Sequence, residues 1–201
     1  MKLRQFLSDN EKGTNMLIIK PPNPLNVFEP NTLVRIFFAG SIEMGKAIEW
    51  QEELTTHLSK LITQDKIAIL NPRRDDWDVS WEQSIQNPKF LEQVKWELDA
   101  LEMAEIKIFY FDPNTKSPIT LMELGLHARS NPIVYCPNDF WRKGNVDVVA
   151  KSYGFSVYEN EKDFRIAIEQ RIAKFLKAFF MRKEIIASHP ALKEMLLNAG
   201  K

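Results

Sequence analysis

Ile106-Lys-Ile-Phe-Tyr-Phe-Asp-Pro-Asn-Thr-Lys-Ser-Pro-Ile-Thr-Leu-Met-Glu-Leu-Gly-Leu-His-Ala128 reads as a buried strand, a turn and an apolar helix. The strand is Ile106 to Phe111, rich in β-branched and aromatic residues and stopped by Asp112 and Pro113. Ser117 stands at the N-cap position of the helix, with Pro118 at its first position. Inside the apolar run sits one carboxylate, Glu123. A carboxylate buried without a partner costs several kcal/mol and has its pKa driven upward. Glu123 is therefore the first candidate for a chemical residue.

Working outward, four more runs have the same character: Val34 to Ala39, Ile67 to Leu70, Ile133 to Cys136 and Phe155 to Tyr158. Between the first three strands lie helical stripes, one through Ala47, Trp50, Leu54, Leu58 and Leu61 and one through Phe90, Val94, Leu98 and Leu101. Apolar strands alternating with helices predict an α/β fold: a doubly wound parallel sheet of five strands, with helices on both faces and ligands at the strand carboxyl ends. Met16-Leu-Ile-Ile, followed by Lys-Pro-Pro-Asn-Pro, suits an edge strand or an extended arm. Phe164, Ile168, Ile172, Phe175 and Phe179 mark a long C-terminal amphipathic helix, and a second is expected to start at Pro190. The expected division is an arm over 1–33, a domain over 34–160 and a helical extension over 161–201.

With 201 residues, 44% of them hydrophobic, the chain can build one sizeable core. Lys and Arg number 27 against 27 Asp and Glu, with no block of one sign, which argues against binding polymeric nucleic acid. A single cysteine, Cys136, excludes an intramolecular disulfide and a cysteine-built metal cluster, and it reads as a core residue. His57, His127 and His189 show no metal-ligand spacing, and neither metal nor cofactor is expected. No stretch approaches about 18 apolar residues, and no signal-peptide pattern opens the chain. The expectation is a soluble, cytoplasmic protein without a membrane role.

The strand-end rule then selects the loops. After the first strand, Ala39-Gly40-Ser41-Ile42-Glu43-Met44-Gly45-Lys46 lets backbone approach a ligand and offers amides to an anion, or makes a plain strand-to-helix turn. After the second, Asn71-Pro72-Arg73-Arg74-Asp75-Asp76-Trp77-Asp78 crowds charge beside an aromatic. Trp77 and Trp81 are suited to stack on a base, and Arg73 or Arg74 to hold a carboxylate or phosphate. Arg73, Asp76 and Trp77 are the expected substrate contacts here, and a solvated loop whose charges pair with one another is the alternative. In the next helix Glu97 shares a line with Phe90, Val94, Leu101 and Ala104. It is either a rim residue or, beside Glu123, the second carboxyl that glycosidic chemistry uses.

Together Ile36 to Ile42, Asn71 to Arg74, Trp96-Glu97 and Ser117 to Gly125 resemble the nucleoside 2-deoxyribosyltransferase-like superfamily, over about Val34 to Tyr158. Trp141-Arg-Lys-Gly-Asn-Val-Asp147 looks like an Arg-x-Gly-Asn-Val loop of one branch, which brings in Asn145. The resemblance implies a flavodoxin-like domain that cleaves the N-glycosidic bond of a 2-deoxynucleoside. It implies Glu123 as nucleophile, Glu97 as the acid near the base, and a nucleoside or nucleotide plus a free nucleobase as partners. It also implies a homo-oligomer. Two positions differ from the transferases. Phe37 stands where they carry an orienting tyrosine, and Ser117 where they have an aspartate. The serine, with Gly40-Ser41-Ile42, looks like the related 2-deoxynucleoside 5-monophosphate N-hydrolases, for which Ser41, Gly45 and Ser117 would be phosphate contacts. Transfer, hydrolysis and a nucleotide-sensing module without turnover are the three readings.

Overall fold

The apolar runs lie side by side, all parallel, in a single sheet. A computed structural model describes residues 16–26, 34–42, 48–61 and 67–188. These form β1 (Leu17–Ile19), β2 (Val34–Gly40), β3 (Ile67–Leu70), β4 (Ile106–Tyr110), β5 (Ile133–Tyr135) and β6 (Val157–Tyr158), in the order β1-β3-β2-β4-β5-β6. The helices are α1 (Trp50–Leu61), α2 (Pro88–Met103), α3 (Pro118–His127), α4 (Lys143–Tyr153) and α5 (Glu161–Ser188). A 3-10 turn, Ala128–Ser130, follows α3.

Among the described residues the sheet has six strands, not the expected five. The added one is β1, which extends the sheet beyond β3 with Leu17 opposite Ala68 and Ile19 opposite Leu70. At three residues, with prolines close behind, it has too short a pattern to separate strand from arm. The other five strands keep the 2-1-3-4-5 order of flavodoxin-like sheets. β3 and β4 are buried at every residue, as a parallel sheet covered on both faces requires.

One face carries α1 and α5. Trp50, Leu54 and Leu58 of α1 and Phe164, Ile168, Ile172 and Leu176 of α5 pack on Ile36, Phe38, Ile69, Ile108 and Tyr110. Each such side chain contributes about 1.5–3 kcal/mol by leaving water. An aromatic column crosses this face: Trp50 stacks on Tyr110 at 4.8 Å and Tyr110 meets Tyr135 at 4.6 Å. The Tyr110 hydroxyl donates to Glu161 at 2.8 Å, at the start of α5. The second expected C-terminal helix, from Pro190, lies outside the described residues.

The other face carries α2, α3 and α4, with Trp96, Ala100, Leu124, Phe140 and Val146 packed on Phe37, Ala39 and Phe109. α2 is rotated from its expected stripe. Its buried residues are Gln93, Trp96, Ala100 and Leu101, while Leu98 is exposed. The large indole of Trp96 takes the sheet-facing position and donates to the Asn23 carbonyl at 2.8 Å. That rotation leaves Glu97 at the edge of the buried face.

The chain leaves β2 for α1 on one face and, after β4, enters α3 on the other. A crevice opens where adjacent strands part in this way, at the carboxyl ends of β2 and β4.

Candidate active site

Gly40-Ser41 at the end of β2 and Asp112 to Ser117 after β4 form one wall of this crevice. The Ser41 amide donates to the Tyr110 carbonyl at 3.0 Å, fixing the two strand ends together. Gly40 is required by packing. A Cβ there would lie 2.5 Å from the Trp50 ring and 2.7 Å from the Tyr110 carbonyl oxygen. The indole itself donates to the Ser41 carbonyl at 3.1 Å.

Ser41 is 1% exposed, and its hydroxyl meets those of Thr115, at 2.8 Å, and Ser117. Thr115 and Ser117 lie 2.7 Å apart, and the Asp112 amide donates to Ser41 Oγ at 3.0 Å. Ser117 occupies the N-cap position and Pro118 follows, as expected, but the serine makes no side-chain cap bond. Its backbone is left-handed, at φ 47° and ψ 51°, which turns the hydroxyl into this cluster. A left-handed serine at a helix start stores strain, and such strain concentrates at functional sites. Asp112 accepts from the Ile48 amide at 3.1 Å and closes an Asx turn with the Asn114 amide at 2.8 Å. Thr115 and Asp112 belong to the site and were missed in the sequence. The only sign of them was the Asp-Pro-Asn-Thr turn at a strand carboxyl end.

The two candidate acids stand on α2 and α3. Glu123, on α3, is 7% exposed. Burial first, and the nearby Glu97 carboxylate second, push its carboxyl up to about 8. Burial pushes Glu97 up to about 7, opposed by a 2.8 Å hydrogen bond from Gln93 Nε2 to Glu97 Oε1. No cation among the described residues offsets either acid. Two such groups titrate as a pair and hold about one proton between them near neutral pH. That supplies one carboxylate and one carboxylic acid, with the proton resting mainly on Glu123, the weaker acid of the two. Phe37 is wholly buried in the cluster that also contains Trp96 and Leu124, the neighbours of the two acids.

The loop after β3 is more structural than the sequence suggested. Arg74 pairs with Asp76 at 2.6 Å and Glu92 at 2.9 Å and lies over the Trp81 ring. Trp77, partly exposed, packs on Trp81 at 5.1 Å. Asp76 is thus engaged by Arg74, the self-paired alternative. Arg73 pairs with Glu49 but keeps Nη1 buried without a hydrogen-bond partner. Ile42 is half-buried beside Ser41, and Gly45 lies outside the described residues. Asn145 is exposed in the first turn of α4. The loop leading there reaches the site through Trp141, whose indole donates to the Lys116 carbonyl at 2.9 Å. Cys136 is fully buried, and burial pushes its thiol up to about 12, which suits a core residue. Among the described residues no three His, Cys, Asp or Glu side chains converge as metal ligands, and no helix is long and apolar enough to cross a membrane.

The chain thus forms a flavodoxin-like α/β domain with a hydroxyl cluster at its switch point and a pair of buried acids on α2 and α3. Residues 33–140 match the family model described as nucleoside 2-deoxyribosyltransferase like, and the chain belongs to that family. No curated protein matches the chain by sequence. Among solved structures, a conserved protein from Enterococcus faecalis V583 is similar at 12% identity and a TM-score of 0.49, covering 69% of this chain and 99% of that one.

Proposed function

We propose that the protein is a deoxyribosyltransferase that cleaves the N-glycosidic bond of a 2-deoxynucleoside, or of its 5-monophosphate, through Glu123. What supports the reading is the pairing of Glu123 with Glu97, two buried acids without a compensating cation that share a proton near neutral pH, and passage of that proton from Glu123 to Glu97 gives the reactive form. An oxygen of ionised Glu123 attacks the anomeric carbon and forms an ester bond. The bond from that carbon to the base nitrogen breaks, and its electron pair leaves with the base. Protonated Glu97 supplies the proton the departing base needs. A nitrogen of a second base, or water, then attacks the anomeric carbon, the ester bond to Glu123 breaks, the proton of the incoming group passes to Glu97, and configuration is retained through two displacements.

Hydrolysis of a 5-monophosphate is the second reading, and the hydroxyl cluster favours it. The contacts among Ser41, Thr115, Ser117 and the Tyr110 and Asp112 carbonyls outnumber the three hydroxyl protons. A phosphate oxygen would draw those protons toward itself, with the start of α3 adding its amides.

The test is chromatography of purified protein with 2-deoxynucleosides and their 5-monophosphates, each with and without a second base. A new nucleoside formed only with added base supports transfer. Base released from monophosphates alone supports hydrolysis. Binding without any turnover rejects both and leaves a nucleotide sensor.

A further inference from the structure

Gln93 is a buried amide that the scheme above uses only as a neighbour of Glu97. It is 4% exposed and sits one helical turn before that acid. Its Nε2 donates to the Pro72 carbonyl at 2.9 Å and to Glu97 Oε1 at 2.8 Å. A backbone carbonyl only accepts, so Pro72 fixes which end of the amide carries the NH2. Both hydrogens are then spent, and Gln93 Oε1 is left shielded from solvent without a hydrogen-bond partner. Buried amide oxygens are seldom left so, because the lost hydration goes uncompensated. An amide's oxygen and nitrogen are about 2.3 Å apart, which puts the orphan within about 5 Å of the Glu97 carboxyl oxygen.

We infer that Gln93 Oε1, reached as the arriving base parts the side chains that shield it, is the acceptor for an exocyclic amine on the leaving base, making Gln93 a specificity-determining residue. In the reactive form, with the shared proton on Glu97, that acid is a donor beside it. An acceptor next to a donor matches a base edge that sets an amine beside a basic ring nitrogen: N6 and N7 of a 6-aminopurine, or N4 and N3 of a 4-aminopyrimidine. The same contact sends the Glu97 proton to a nitrogen whose protonation helps the base depart. A 6-oxopurine or 4-oxopyrimidine turns an oxygen toward Gln93 Oε1, and the amide cannot flip to meet it without breaking its bond to Pro72. Such bases are disfavoured as a result. The substrate class rests on the deoxyribosyl reading, whereas the recognition of the base edge does not.

Two measurements on the full chain test this. The first is kcat/KM for 2-deoxyadenosine against 2-deoxyinosine, and for 2-deoxycytidine against 2-deoxyuridine. The second is calorimetric binding of the same four nucleosides, and of adenine and hypoxanthine, to the Glu123→Gln protein, where leaving-group reactivity plays no part. The amino member of each pair is expected to be favoured about ten- to a hundredfold in both. Gln93→Met should shrink each ratio to within about threefold, whereas a merely structural role would weaken both members alike and leave the ratio in place. Selective binding without turnover would uphold Gln93 and reject the transferase and hydrolase readings. Turnover with equal constants for amino and oxo bases would uphold the chemistry and overturn the role of Gln93. Absence of base binding by the wild-type chain would overturn it as well.

Discussion

Replacing Glu123 with glutamine should stabilise the protein, and increasingly so as the pH rises. In the unfolded chain this carboxyl ionises near its ordinary 4.5, and in the folded protein only at about 8. The folded state therefore binds the proton more tightly. Below about pH 4.5 the acid is neutral in both states and costs nothing. Between there and about pH 8 the unfolded chain ionises while the folded protein resists, and stability drains away through that window. At about 1.4 kcal/mol per tenfold change, the ceiling is about 5 kcal/mol. Relaxation of the site and the portion shared with Glu97 bring the expected gain for Glu123→Gln to about 2–4 kcal/mol above pH 8. For a chain of this size that is about 5–15 °C in melting temperature. Thermal melts of both proteins from pH 5 to 9 would reveal it. A difference that stays constant across that range, or a wild type that gains on the variant with rising pH, would refute the claim that Glu123 is buried without compensation.

Glu97→Gln should lower turnover about 10²–10⁴-fold, most for bases that leave poorly, and move the acidic limb of the kcat/KM profile to lower pH, because the charge that holds Glu123 up is gone. An unshifted limb would mean that the two acids are not coupled. Gly40→Ala drives a methyl into the Trp50 ring and the Tyr110 carbonyl. It should cost about 1–3 kcal/mol in chemical denaturation and alter tryptophan emission, and a neutral effect would show that the indole yields freely. Cys136, buried with its thiol pushed up to about 12, should resist a thiol reagent at pH 8 in the native protein and react once unfolded. Rapid native labelling would remove it from the core.

What could be read from the sequence was whatever depends on near neighbours. Continuous apolar runs announced β2 to β6, the strand-end rule pointed to the loops, and the apolar run around Glu123 announced that this acid is buried. The rest depends on partners distant in the chain. Ser117 was expected at an N-cap, and it is there, but its hydroxyl is claimed by Ser41, 76 residues away. Gly40 suggested close approach to a ligand, whereas the atoms that crowd it belong to Trp50 and Tyr110. The stripe through Phe90, Val94 and Leu98 gave way to Trp96, whose bond to Asn23 lies 73 positions upstream. Gln93 gave no signal at all, because a glutamine becomes informative only when its amide is found buried with its oxygen unmatched.

The aromatic column also bears on how the protein is made. Trp50, Tyr110 and Tyr135 leave the ribosome well before Phe164, Ile168, Ile172 and Leu176, which cover them. At about 5–20 residues per second, the 41 positions from Tyr135 to Leu176 leave that sheet face without its cover for a few seconds. During that interval the strand ends of the crevice exist, but the indole that holds Ser41 rests against a half-finished core. The nascent chain is then a natural client for a chaperone that recognises aromatic surface, and the emergence of α5 ends the dependence.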